Sequence, residues 1–390
     1  MNNTDVFALT GADIYGESEQ LSLTGHAIVV AGNTILDVCP IESIDQNVTT
    51  IELAGGFLTA GFIDLQVNGG GGVQFNNAPT LQSIKTICSS QVRLGTCKTM
   101  VTLISCDKAT TRQAIEAATE ASRLCVPGFL GLHLEGPHLS TARKGAHNEA
   151  VLRDMSNDDL QQLLSAKENL EYLMVTVAPE RVNNDQINTL MRAGIVVSLG
   201  HSDASCEQAE QAYKHGARSA THLYNAMSPL QHRAPGMVGA TLTLPDVFAG
   251  IIADGVHVSP AAISLAVRSK NAGGKLYLVS DAMAPAGTSQ TEFELDGRTI
   301  TRNNGKLVLP DGTLAGADTD LLSSVNYLMQ SVGVTRDHAL RMASLYPAQC
   351  IGANHTMGTV APGCSPNLIH IDKHNRLKQV WLDGVPQLAD

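Results

Sequence analysis

The chain has 390 residues, room for two or three ordinary domains or for one large barrel with an appendage. Its 43% hydrophobic and 16% charged residues exclude disorder, which needs low hydrophobicity and high charge. With 26 Lys and Arg against 37 Asp and Glu the net charge is −11, which excludes nucleic-acid or anionic-membrane binding by bulk attraction; an anionic ligand must be held by a local site.

From about 6 to 56 the chain runs in short β-like pieces separated by Gly and Asn, the pattern of a small antiparallel sheet. The tail NLIHIDKHNRLKQVWLDG has two apolar runs around Asp372-Lys373-His374-Asn375, a hairpin that can complete that sheet. Between these ends, helical stretches such as 79 to 94 and 156 to 166 alternate with eight apolar runs: 57–67, 98–105, 129–134, 172–178, 195–200, 218–223, 248–253 and 276–280. Eight strands alternating with helices give an α/β fold, a (β/α)₈ barrel, with the sixth run the weakest. The expected division is a small domain from 1–56 and 356–390 and a barrel over 57–355. Gly69 to Gly72 matches neither a P-loop nor a dinucleotide fingerprint and reads as a turn.

The eight cysteines contain no CxxC pair, so they read as free thiols of a reducing compartment. The opening residues lack a basic and an apolar signal region, and no window holds 18 uninterrupted apolar residues; a cytoplasmic protein without a membrane span is expected.

Most of the runs end in side chains that can do chemistry: Asp64, Gln66 and Asn68; His133 and Glu135; His201; His222; His257; Asp281. In a barrel of this type the carboxyl ends of the strands form the active face, so these residues converge. One carboxylate and two imidazoles, Glu135, His201 and His222, form the donor set of a catalytic metal site that keeps a position for water. A single strand-end His is more often a hydrogen-bonded structural residue; three such donors beside small residues (Gly200-His201-Ser202, Ala220-Thr221-His222) favour the metal. For Asp281 the ordinary alternative is a helix cap.

The motifs HLEGPH (133–138), KGAHN (144–148), LGHSDA (199–204), THLYNAMSPL (221–230), HRAPG (232–236), ADGVHV (253–258), VSDAMAPAG (279–287) and GTLAG (312–316), in this order over almost the whole chain, resemble the N-acetylglucosamine-6-phosphate deacetylases of the amidohydrolase superfamily. The resemblance implies a metal-bearing barrel plus a small β-sandwich built from both termini, and removal of acetate from an amino-sugar phosphate. It implies that Glu135, His201 and His222 hold Zn²⁺, that Asp281 is the catalytic carboxylate, and that His147 donates to the acetyl carbonyl or to the sugar. Ala146, Asn225, Ala226, Arg233 and His257 would contact substrate. Leu314, Ala315 and Gly316 would form a loop closing over the sugar. Arg233 would reach the site of a neighbouring subunit in a homodimer or homotetramer. Many amidohydrolases carry an HxH pair on the first strand and bridge two metals with a Lys on the fourth. Gln66 and Asn68 stand at the first position and no Lys follows Val177, so one metal per subunit is expected. The competing readings are a dihydroorotase-like or nucleobase-deaminating amidohydrolase, which would show HxH; a non-catalytic barrel, for which loss of Glu135, His201, His222 or Asp281 would have been the sign; and a sugar-phosphate-binding regulator, which the residues alone leave open.

Overall fold

The computed structural model describes residues 6–16, 22–270 and 273–387. The first five and last three residues of the expected terminal domain lie outside the described residues. Eight parallel strands follow one another around a barrel in chain order: Phe62–Val67, Thr96–Ile104, Phe129–Glu135, Leu173–Val177, Val196–Leu199, Ser219–Ala220, Phe248–Ile251 and Leu276–Leu278. The first and last strands meet just beyond their carboxyl ends. Val67 bridges Ala282 there, and the Asp281 N–H donates to the Gln66 carbonyl at 3.1 Å. Closure removes the exposed sheet edges.

Each strand from the second to the eighth is preceded by an α-helix, and sequence chemistry fixes where most of these begin. Thr80, Asp107, Ser156, Asn183, Ser205 and Ser259 each accept a backbone N–H of the first turn, and Ser156, Asn183 and Ser205 complete reciprocal capping boxes. The helices Leu81–Arg93 and Asn157–Lys167 occupy the two helical stretches read from the sequence. The weak sixth run forms a two-residue strand.

Two features differ from the sequence reading. The run 57–67 is two strands, not one. Phe57–Ala60 pairs antiparallel with Leu368–Ile371, and only Phe62–Val67 enters the barrel. Between them the Gly61 N–H donates to the Asn367 carbonyl, and a Cβ on Gly61 would lie 2.2 Å from the Cys97 sulfur. The barrel therefore starts about one strand later than the expected boundary at 57.

The second is an antiparallel sheet inserted after the last barrel strand: Glu292–Leu295, Arg298–Asn303, Lys306–Val308 and Leu314–Ala317. Its first two turns are Asp296-Gly297 and Asn304-Gly305, with φ of 50° and 70° and of 50° and 74°. Left-handed backbone at both central residues is what a tight two-residue hairpin requires. Leu314, Ala315 and Gly316 are thus on a strand, where the sequence suggested a loop. Gly69–Gly70 likewise pairs with Val73–Gln74 in a tight hairpin.

Two further sheets come from the chain ends. One contains Val6–Thr10, His26–Ala31, Thr34–Pro40 and Thr49–Glu52; the other contains Asp13–Ile14, Phe57–Ala60, Leu368–Ile371, Leu377–Leu382 and Val385–Gln387. Phe7, Leu9, Ile28, Leu58, Leu368 and Trp381 are buried in the core between them. The fold is a (β/α)₈ barrel with a small β-sandwich built from both termini. No helix among the described residues is long and apolar enough to cross a membrane.

Candidate active site

At the carboxyl end of the barrel lies a cavity of about 250 Å³ whose lining includes Glu135, His147, His201, His222, His257 and Asp281. Glu135 is the last residue of its strand, and His201, His222 and Asp281 follow theirs by two or three residues. His201, His222 and Asp281 adopt φ of 47°, 32° and 51°. Such backbone costs a non-glycine residue about 1–3 kcal/mol and persists only where the surrounding structure enforces it.

Three donor atoms converge in this cavity. His222 Nε2 lies 3.0 Å from His201 Nε2 and 3.0 Å from Glu135 Oε1, and His201 Nε2 lies 3.3 Å from the same oxygen. His201 Nδ1 is 2.9 Å from the Arg143 carbonyl, which can only accept, so the ring proton sits on Nδ1 and Nε2 presents a lone pair. More lone pairs than protons meet at one point, an arrangement that suits a cation. Donors about 2.0–2.2 Å from a tetrahedral ion stand about 3.3 Å apart, close to the three separations observed. Burial alone would raise the Glu135 pKa, but the two imidazoles outweigh it and hold the carboxyl well below its ordinary range. His222 shows the reciprocal effect: burial opposes its charged form, yet Glu135 raises its pKa.

Glu135, His147 and His201 also lie mutually within 4.8 Å. His147 is nevertheless better read as a donor. The Ser105 N–H donates to its Nδ1 at 3.3 Å and the Ser105 hydroxyl lies 2.8 Å from the same atom, so the proton of the neutral ring is on Nε2. Burial and the neighbouring His201 push the His147 pKa down to about 3, which keeps the ring neutral. Its Nε2–H points towards the Glu135 side of the cavity, 4.0 Å from Oε2.

Asp281 caps no helix. Its Oδ1 accepts from Gln66 Nε2 at 3.1 Å and from Asn68 Nδ2 at 2.7 Å. Burial and the Glu135 carboxylate push its pKa up to about 6. Gln66 Nε2 also donates to Glu135 Oε1 at 3.1 Å. The residues at the HxH positions therefore act as amide donors to the site's two carboxylates.

The remaining expected residues divide. Ala146, Asn225, Ala226, His257, Leu314, Ala315 and Gly316 line the cavity. The Asn225 N–H already donates to the His222 carbonyl at 2.9 Å, so that amide is not free for a ligand. Gly316 has φ of 67°, and a Cβ there would lie 2.4 Å from Met283 Cγ and 2.8 Å from the Asp281 carbonyl oxygen, which requires glycine. Arg233 does not line the cavity of its own chain; it is exposed on the loop before the helix Gly236–Thr243. Gly200 serves barrel packing rather than room for an ion, since a Cβ would meet Thr176 at 2.8 Å and Thr221 at 3.0 Å.

Two partners escaped the sequence reading. Asp254 Oδ2 lies 2.7 Å from His257 Nδ1, and its other oxygen accepts the N–H groups of Val256 and His257 at 2.9 Å. The D-x-x-H spacing in ADGVH was the available signal. Arg298, on the inserted sheet, donates to the Ala146 carbonyl at 2.6 Å and so ties the insertion to the loop bearing His147. Nothing in the sequence marked that contact.

The amidohydrolase family model matches residues 57–387, and the model of the NagA composite domain matches residues 6–58. The chain is 37% identical to an N-acetylgalactosamine-6-phosphate deacetylase of Shewanella sp. (strain ANA-3), over 98% of this chain and 96% of that protein. It is 34% identical to an N-acetylglucosamine-6-phosphate deacetylase of Haemophilus influenzae, over 93% of this chain and 94% of that one. The crystal structure of N-acetylglucosamine-6-phosphate deacetylase from Pasteurella multocida superposes with a TM-score of 0.93 at 36% identity, covering 98% of this chain and 99% of that one. The Glu-His-His cluster can hold a divalent metal ion, and the chain is a member of the amidohydrolase family.

Proposed function

We propose that the protein is a zinc-dependent deacetylase that hydrolyses the acetamide of N-acetyl-D-glucosamine 6-phosphate to D-glucosamine 6-phosphate and acetate, in cytoplasmic amino-sugar catabolism and cell-wall recycling. The observation that carries this reading is one cavity holding a Glu135–His201–His222 donor cluster, a buried Asp281 with an uncommitted oxygen and a neutral His147 donor. The names of the full-length relatives support the substrate class.

Glu135, His201 and His222 would hold a single zinc ion, whose Lewis acidity would polarise the amide carbonyl and lower the pKa of water towards about 7. Asp281 takes the proton of the attacking water on Oδ2 and delivers it to the leaving nitrogen, because an amine departs poorly unless protonated. His147 donates its Nε2–H to the carbonyl oxygen as negative charge develops there. His257, fixed by Asp254, and the Ala226 amide meet the phosphate. Leu314, Ala315 and Gly316 form the wall over the sugar.

Among the described residues the lining of the cavity includes no Lys or Arg, whereas a phosphate calls for fixed positive charge. Arg233 is exposed and supplies it to the site of a neighbouring copy in a homodimer or homotetramer. A second reading concerns the sugar: the relative at 37% identity is named for the galactosamine epimer, which favours that substrate equally.

Metal analysis combined with acetate release tests the proposal. N-acetylglucosamine 6-phosphate, its galactosamine epimer and unphosphorylated N-acetylglucosamine are compared. Fast turnover of a phosphorylated sugar by the zinc-loaded protein is expected, and the faster epimer names the substrate. Equal rates with and without phosphate remove phosphate recognition; no acetate release from any of them rejects the deacetylase.

A further inference from the structure

Gln66 and Asn68 stand two residues apart at the end of the first barrel strand, so both side chains face the barrel interior, 2% and 1% exposed. An amide nitrogen carries two protons and no charge. The two protons of Gln66 Nε2 bridge the site's carboxylates, 3.1 Å from Glu135 Oε1 and 3.1 Å from Asp281 Oδ1. Asn68 Nδ2 donates to that same Asp281 oxygen at 2.7 Å. The main chain doubles the attachment: the Asp281 N–H donates to the Gln66 carbonyl at 3.1 Å and the Asn68 N–H to the Ala282 carbonyl at 2.8 Å. Asp281 is thus gripped through both its backbone and its carboxylate while holding a φ of 51°.

The grip is one-sided. Oδ1 accepts two amide donors, whereas Oδ2 makes no hydrogen bond to any described residue and Asp281 lines the cavity. A neutral imidazole at position 66 has a single N–H and could not bridge two carboxylates. An amide bridges them without adding charge, and in a low-dielectric site it offsets the repulsion between two anions that must stay close.

Resting on the reading of Asp281 as the group that moves the proton, we infer that Gln66 and Asn68 are positioning residues for the reaction. They turn the Asp281 carboxylate so that Oδ2 alone faces the attacking water and the leaving nitrogen, and Gln66 also sets the orientation of Glu135 in the metal-binding cluster. Gln66 lies outside the cavity lining, and Asn68 reaches the cavity with its amide nitrogen committed to Asp281.

The test uses the full chain and the variants Asn68→Leu, Asn68→Asp and Gln66→Met, measured for kcat and KM in acetate release and for zinc affinity by chelator competition. Asn68→Leu is expected to lower kcat by about 10–100-fold while KM and zinc affinity stay within about twofold, since it acts through Asp281 only. Gln66→Met is expected to lower kcat similarly and to weaken zinc binding by about tenfold, because it also releases Glu135. The double variant should lose less than the product of the single losses, as groups acting through one carboxylate do. Asn68→Asp keeps the side-chain shape and, ionised, has no proton to donate, so it should reproduce the kcat loss even if Asn68→Leu folds poorly. A kcat within about twofold of the parent in both Asn68 variants, or a loss appearing in KM alone, overturns the inference, and unchanged zinc affinity in Gln66→Met overturns its Glu135 half. If the parent releases no acetate, the deacetylase reading fails, while the zinc measurement still decides whether Gln66 orients Glu135.

Discussion

Two layers of polar side chains are buried inside the same barrel, and they differ in how their protons are matched. In the lower layer His133 Nε2 lies 2.7 Å from the Thr176 hydroxyl and Nδ1 3.2 Å from that of Thr102; Thr176 and Ser198 each reach Thr221 at 2.7 Å. Hydroxyls both give and accept, so this chain closes on itself. In the upper layer Glu135, His201 and His222 bring three acceptor-rich atoms together with too few protons between them. His133 and Glu135 even share one strand face, two residues apart. Both are buried, at 1% and 2% exposure, so burial does not separate structural from functional polar groups; the balance of donors and acceptors does.

The strongest way to break this contrast is to remove what the upper layer is built to hold. Chelation should abolish acetate release, and zinc should restore it; metal-free turnover would show that the unbalanced cluster is not a metal site. His222→Ala should lose the metal outright. Asp281→Asn should instead retain zinc and lose about 10²–10⁴-fold in kcat, the usual contribution of a proton-transferring group. Metal content and kcat on the same preparations separate the two behaviours.

Arg233 tests whether the upper layer is complete within one chain. It is exposed and away from the cavity, so Arg233→Ala should leave zinc content and kcat close to the parent. KM for the phosphorylated sugar should rise by about 10–100-fold, since hydrogen bonds to a charged group contribute roughly 1.5–3 kcal/mol. An unchanged KM would confine the phosphate site to His257 and the backbone.

The lower layer should respond the other way. Burial pushes the His133 pKa down to about 4, so the ring is neutral near pH 7. His133→Leu removes one hydrogen-bond partner each from the hydroxyls of Thr102 and Thr176 and should cost about 1–3 kcal/mol of stability, lowering the thermal midpoint by a few degrees with zinc content retained. Loss of metal with an unchanged midpoint would place His133 in the wrong layer.

The sequence carried the barrel because strands buried on both faces read as continuous apolar runs, and it marked Glu135, His201 and His222 because they end or follow such runs. It could not show what each ring bonds, since the partners are distant in sequence: the Thr102 and Thr176 hydroxyls for His133, and for His201 the Arg143 carbonyl, which fixes its tautomer. The split between Phe57–Ala60 and Phe62–Val67 was hidden because both halves are apolar and Gly61 alone marks the crossing. The inserted sheet is marked by Asp296-Gly297 and Asn304-Gly305 between alternating residues, but its half-exposed strands lack the continuous apolar runs of the buried parallel ones. Arg298 and the Ala146 carbonyl meet across 152 positions, a pairing that no local pattern encodes.

The smallest expected effect concerns Asp64, which accepts the N–H groups of Gln66 and Ser280 at 3.1 Å each and belongs to the satisfied lower layer. Full burial nevertheless pushes its pKa up to about 7 from the ordinary value of 3.8, so the folded chain holds this proton more tightly than the unfolded chain does. Stability contributed by a raised carboxyl is fully present below the unfolded pKa and declines as pH rises towards the folded one. Asp64→Asn removes that term. Whatever its absolute cost, the stability of the variant relative to the parent should improve between about pH 4 and pH 7 and then level off, as read from urea midpoints across that range. A difference that stays constant with pH would mean that the two backbone donors offset burial and hold the Asp64 pKa at its unfolded value.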